Sequence, residues 1–250
     1  MSLPGPARAD RPGWLAAAQM LLPLIAGGMA IATLYGAFFY AAREKTMGDV
    51  QRIFYFHAPA GIMCFLAFFV TFLASIAYLR TRRRIWDIVG HSSVEAGMLL
   101  TSIVLLTGPF WARPVWGTWW TWEARLVWTL VLWMIYAGYL LLRRYTDDPD
   151  QQARFAAVMG IVGFLDVPIV YYSVHWWRGH HPLVLKVSGG GGLEPTMRIV
   201  FLGGIITYLF LYMALMALRV PLGRMEDDLR RLEASSRARA RGRRDMARVT

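Results

Sequence analysis

At 250 residues, with 56% hydrophobic and only 17% charged side chains, the chain lies outside the composition of soluble domains and reads as a membrane protein. A single cysteine, Cys64, excludes an internal disulfide, and no CxxC or paired Cys/His spacing offers a zinc site or a dithiol redox pair. The formal net charge of +11 is carried by 27 Lys and Arg against 16 Asp and Glu, and its expected partner is the lipid bilayer, not nucleic acid.

Crossing the hydrocarbon takes about 20 apolar residues at a rise of about 1.5 Å each. Residues 12–42 contain no Asp, Glu, Lys or Arg, which predicts a first helix over about 17–40. It is too long for a signal-peptide core and no small-residue cleavage site follows, so it is expected to stay uncleaved. "FYFHAPAG" (54–61) leads into a second span, 57–79, and "LRTRRR" (79–84) makes a tight basic turn into a third, 91–112. A tryptophan-rich segment, 111–125, precedes the fourth span, 125–142. "DDPDQQ" (147–152) reads as a solvated turn before the fifth span, 155–175, which only Asp166 interrupts. A carboxylate there is costly unless it faces the bundle interior or carries a proton. "SGGGG" (188–192) has no GK[ST] after it and reads as a flexible linker, not a phosphate loop. The sixth span covers 198–218, which closes a six-helix membrane domain at 1–222, and 223–250 form a basic tail. Backbone groups in lipid must pair internally, so the expectation is an all-α integral membrane protein of six transmembrane helices.

Orientation follows from the basic residues, because Lys- and Arg-rich loops stay in the cytoplasm. With both termini cytoplasmic, 19 of the 27 Lys and Arg fall inside and 8 outside; without the tail the bias is nine to eight. The tryptophan-rich loop between helices 3 and 4 then faces the periplasm, with His57 and "YSVHWWRGHHP" (172–182).

"WGTWWTWEARLVW" (116–128) holds five tryptophans in thirteen residues. An interfacial belt explains one or two per helix end. Here Trp116, Trp119 and Trp120 would share one face if the loop is helical, Trp122 follows, and Trp176 and Trp177 stand in another outer loop. Wide flat ligands bind on such aromatic walls with a few polar groups. Four of five histidines, His57, His175, His180 and His181, fall at outer helix ends, whereas His91 lies on the inner side. Two outer elements bearing imidazoles beside an aromatic platform match a haem, whose iron takes one from each side. Its propionates would meet Arg52, Arg113, Arg125 or Arg178. Glu123 reads as an orienting partner for Arg125 or an acceptor contact; sequence assigns no role to His175 or Asp166.

"YFHAPA", "WGTWWTWEARL" and "YSVHWW" followed by histidine, in that order over about residues 50–200, resemble the haem exporter protein C family of bacterial cytochrome c maturation. The resemblance implies an inner-membrane protein that binds haem b transiently at its periplasmic face, between two axial histidines and above a tryptophan-rich platform. It implies handover to a periplasmic haem chaperone, in a complex with ATP-binding-cassette subunits and a small membrane subunit. It assigns His57 as the first ligand. For the second, position in the motif selects His181, with His180 the alternative, because His180 stands where the family has Leu and Pro182 where it has Gln. His175 and Glu123 also depart, from Glu and Asp. Other classes left open are a haem lyase, a membrane haem transporter and a quinone-linked oxidoreductase; no inverted repeat and no mid-depth histidine favours them.

Overall fold

The structure, a computed structural model, describes residues 13–177, 179 and 193–249, with backbone alone for 241–249. Its helices are α1 (Gly13–Tyr35), α2 (Phe54–Thr81), α3 (Arg84–Trp116), α4 (Ala124–Tyr145), α5 (Pro149–Phe164), α6 (Asp166–Trp176) and α7 (Pro195–Val249). A π-helical turn, Gly36–Tyr40, extends α1, and a 3-10 turn, Asp49–Ile53, leads into α2. Six of these lengths are long and apolar enough to cross a membrane, with α5 and α6 together making the fifth, as the charge-free runs predict.

Local chemistry explains where helices stop. Arg82 closes α2 in the left-handed conformation, φ 55°, its amide donating to the Tyr78 carbonyl at 2.8 Å. Gly117 closes α3 at φ 77°, a conformation glycine takes without a Cβ penalty. Asp148 caps α5, accepting from the amides of Asp150 at 2.8 Å and Gln151 at 3.2 Å ahead of Pro149 in the first turn. These two amides hold the Asp148 carboxyl below its ordinary value.

The fifth span is not one helix. It breaks at Leu165, three residues before Pro168, which has no N–H to return to the Phe164 carbonyl. Asp166 sits at this break, buried, with neither carboxylate oxygen hydrogen-bonded among the described residues. The third helix starts at Arg84, earlier than predicted, and runs through Pro109 and Pro114 to Trp116. The last continues past Pro221 into the charged tail without interruption.

Close helix approach depends on small residues, because lipid tails supply no hydrophobic drive between apolar helices. The Phe68 ring enters the space at Gly97, where a Cβ would sit 2.7 Å from it, and stacks on Tyr136 with centroids 3.8 Å apart. At Gly204 a Cβ would lie 2.6 Å from the Tyr55 carbonyl, so α7 lies directly on α2. The outermost helix, α1, is tied to α7 by Thr33 Oγ1 to Thr207 Oγ1 at 2.9 Å and by Gln19 Nε2 donating to the Ala217 carbonyl at 3.0 Å.

The helices alternate in direction, so one end of the bundle gathers the starts of α2, α4 and α7 with the ends of α3 and α6. Phe54 stacks on Phe201 there, 4.8 Å between centroids. At the other end Arg143 grips Asp87 with two hydrogen bonds, 2.6 and 3.0 Å, while Arg84 bridges Asp87 at 3.1 Å and Asp227 at 2.9 Å.

Candidate functional site

His57 lies in the first turn of α2 and is held from α3. Its Nδ1 is 2.9 Å from the Thr107 hydroxyl, and its ring meets the Trp111 indole edge-on, centroids 5.6 Å apart at 77°. Gly108 lets the ring lie close, since a Cβ there would reach His57 Cε1 at 3.5 Å. Trp111 in turn packs edge-on against Phe54, at 6.1 Å. Its indole nitrogen is buried with no hydrogen-bond partner among the described residues.

One residue before Trp111, Phe110 faces a different direction on the helix and supports Trp119 edge-on at 5.8 Å. The last turns of α3 therefore carry both the histidine contact and the tryptophan segment. Residues 117–123 are not helical, so the shared face of Trp116, Trp119 and Trp120 that a helix would create does not form. Trp116 instead ends α3, half-buried, and the chain turns at Gly117, whose carbonyl accepts from Arg113. The left-handed glycine changes the chain direction and breaks the spacing of about 3.6 residues.

The result is a ledge with indoles at several orientations. Trp120 and Trp122 meet edge-on at 6.1 Å, with Trp120 Nε1 and Thr121 Oγ1 buried and unpartnered among the described residues. Trp119 and Trp122 are 54% and 81% exposed, too much for side chains that complete a core. At the end of α6, Trp176 and Trp177 are 60% and 49% exposed, and Tyr172 stacks on Trp176 at 5.6 Å.

Glu123 and Arg125, at the start of α4, come together with Ser173 and Trp177 at the end of α6 around a cavity of about 50 Å³. Gly179, on the chain toward the paired histidines, lies against Glu123: a Cβ there would be 2.5 Å from Oε2. His175 is exposed near the rings of Tyr171 and Tyr172. Arg178, His180 and His181 lie outside the described residues.

Arg52 is at the same end but is engaged elsewhere. It pairs with Asp49 at 2.9 Å, donates to the Phe38 carbonyl at 3.0 Å and covers the Phe38 ring at 5.3 Å. A larger cavity, about 270 Å³, lies at the opposite end among Arg84, Asp87, His91, Glu95, Arg143 and Arg219. Ion pairs cross it, including Arg219 to Glu95 at 2.6 Å, so it is a polar junction without a flat apolar wall. Thr107 and Gly108 are the site residues that sequence reading missed. A hydroxyl within the charge-free run 96–112 was the available signal.

The family model described as "Heme exporter protein C" matches residues 8–235. A "Heme exporter protein C" of Bradyrhizobium diazoefficiens is 34% identical over 203 residues, covering 81% of this chain and 74% of that protein. The protein of the same name from Escherichia coli is 30% identical over 207 residues, 83% of this chain and 81% of the relative. That of Paracoccus denitrificans is 28% identical over 218 residues, 86% and 89% of the two chains.

Proposed function

The chain belongs to the haem exporter protein C family, and from that premise we propose that it carries haem b for c-type cytochrome maturation, binding it transiently at the periplasmic face of the bacterial inner membrane. The cargo passes from there to a periplasmic haem chaperone. The chain acts as a carrier and not as an enzyme, alongside ATP-binding-cassette subunits and a small membrane subunit. Its orientation follows the arginine bias, 19 basic residues inside against 8 outside, which puts the end bearing His57 in the periplasm.

One observation carries the reading: His57 is seated against Trp111 at the end of α3 where exposed Trp119 and Trp122 also lie. Haem supplies an iron with two axial positions, a flat apolar ring and two propionates. His57 supplies one axial nitrogen; His181 the other, with His180 the alternative. The exposed indoles of Trp119, Trp122, Trp176 and Trp177 offer stacking area, and Trp116 with Trp120 backs the ledge. The buried donors Trp111 Nε1, Trp120 Nε1 and Thr121 Oγ1 fit a ligand that brings acceptors. Arg125 beside Glu123, and Arg52 on the near rim, provide charge for the propionates. Imidazole ligates only through a deprotonated nitrogen, so acid competes with iron and loosens the cargo. An open ledge leaves a ring edge reachable by an acceptor.

The absorption spectrum of the protein purified from membranes tests this. A six-coordinate haem signal is expected, weakened in His57→Ala and His181→Ala and preserved in His180→Ala. Normal haem content and normal transfer in both of the first two variants would overturn the assignment. Loss in His57→Ala and His180→Ala, with His181→Ala unaffected, would move the second ligand by one residue.

A further inference from the structure

The contact between His57 and Thr107 contains more than proximity. Thr107 Oγ1 is 2.7 Å from the Ile103 carbonyl, one helical turn back, and 2.9 Å from His57 Nδ1. A hydroxyl has one proton to donate, and a carbonyl oxygen can only accept. Both bonds form together in one arrangement: Thr107 donates to Ile103, and the lone pair left on its oxygen accepts from Nδ1–H. With the proton on Nε2 instead, Thr107 could satisfy only one of its two neighbours. The additional hydrogen bond favours the Nδ1–H form by roughly two- to tenfold, against the preference of a neutral histidine in water for the other tautomer.

Ring orientation is set by the same helix. Gly108 lies along the Cε1 edge and Trp111 meets the ring edge-on, so residues at i, i+1 and i+4 of α3 surround the imidazole. Phe54 behind Trp111 limits its movement. Thr107 itself is half-buried in an apolar stretch, where a hydroxyl is retained when both its donor and acceptor capacities are used.

We infer that Thr107 is a positioning residue for the haem site: it fixes His57 as the Nδ1–H tautomer and presents Nε2, the nitrogen with the lone pair, as the ligating atom before haem arrives. The inference rests on the reading of His57 as an axial ligand. It adds what the ligand's own identity does not determine, namely which nitrogen binds and what holds it. Hydrogen bonding to the distal nitrogen of a ligating imidazole also raises its basicity.

The haem-free, full-length protein can be examined directly in detergent by ¹⁵N–¹H correlation of histidine ring nitrogens, at a pH where imidazoles are neutral. His57 is assigned by its loss in His57→Asn. The expected result is a protonated Nδ1 and an unprotonated Nε2 at His57; Thr107→Val should shift it toward the opposite tautomer, and Thr107→Ser should restore it. With haem bound, Thr107→Val should release it to a scavenging apoprotein roughly 10- to 100-fold faster, and Thr107→Ser near the unmodified rate. An Nε2–H tautomer in the unmodified protein overturns the inference even if Thr107→Val cannot be produced. A Thr107→Val protein with unchanged tautomer and unchanged release also overturns it. If His57→Ala retains haem normally while the tautomer result holds, it is the assignment of the axial ligand that fails.

Discussion

Charged residues at the two ends of the bundle have different tasks. Asp87 is buried with its side chain 2% exposed, and Arg143 and Arg84 both point into it. Removing one member of a buried pair leaves an uncompensated charge, whereas replacing the pair with apolar groups can be nearly neutral. Asp87→Ala should therefore lower stability by about 3 kcal/mol, measured by thermal unfolding in detergent. Asp87→Leu combined with Arg143→Met should recover most of that loss. Equal destabilisation by the single and double changes would show that Arg143 is not the partner that matters. At the other end Arg52, Glu123 and Arg125 are only partly buried, and their groups stay near the surface where a charged ligand can displace water. Sequence reading placed all three at this end, but it did not show that Arg52 is already engaged by Asp49 and Phe38. That engagement joins residues 14 positions apart through the turn between α1 and α2, and no local pattern encodes it.

Helix contacts depend on positions that hydropathy does not distinguish. Gly204 and Gly28 both lie in apolar helices, yet a Cβ at Gly204 meets the Tyr55 carbonyl at 2.6 Å and Pro59 at 3.0 Å, while one at Gly28 meets nothing among the described residues within 4 Å. Gly204→Ala should lower stability by about 1–3 kcal/mol through forced separation of α7 from α2, and it should weaken haem retention because His57 lies two residues from Pro59. Gly28→Ala should be neutral or slightly stabilising, since alanine favours the helix. Thermal unfolding of both proteins in one detergent checks the contrast; equal behaviour would mean that α7 does not rest on α2 as closely as the structure places it. Spans were legible in the sequence because five leave a charge-free run long enough to cross lipid and the remaining one, the fifth in order, is interrupted only by Asp166. Their internal detail was not. The break at Leu165 follows from Pro168, which an apolar count passes over, and Pro109, Pro114 and Pro221 leave α3 and α7 continuous.

Across the whole molecule, alternating helices bring distant segments to one end, and the orientation of that end can be measured. Cys64 is buried and should remain silent to a membrane-impermeant maleimide. In intact spheroplasts, Lys45→Cys, exposed between α1 and α2, should label, whereas Ser236→Cys, exposed on the tail, should label only after permeabilisation. The reverse pattern would put the tryptophan ledge in the cytoplasm and remove the basis for periplasmic handover. The sequence by itself determined the membrane class, the number of spans, and the residue types that gather near one set of helix ends, because hydropathy and charge act over short continuous windows. Tertiary structure alone decided that His57 is held by Thr107 and Trp111, that the tryptophan loop leaves the helix at Gly117, and that Glu123 and Arg125 meet Trp177. Those relations depend on the register of helices separated by many residues, and register is set by close packing at small side chains, to which the hydropathy of a single helix is blind.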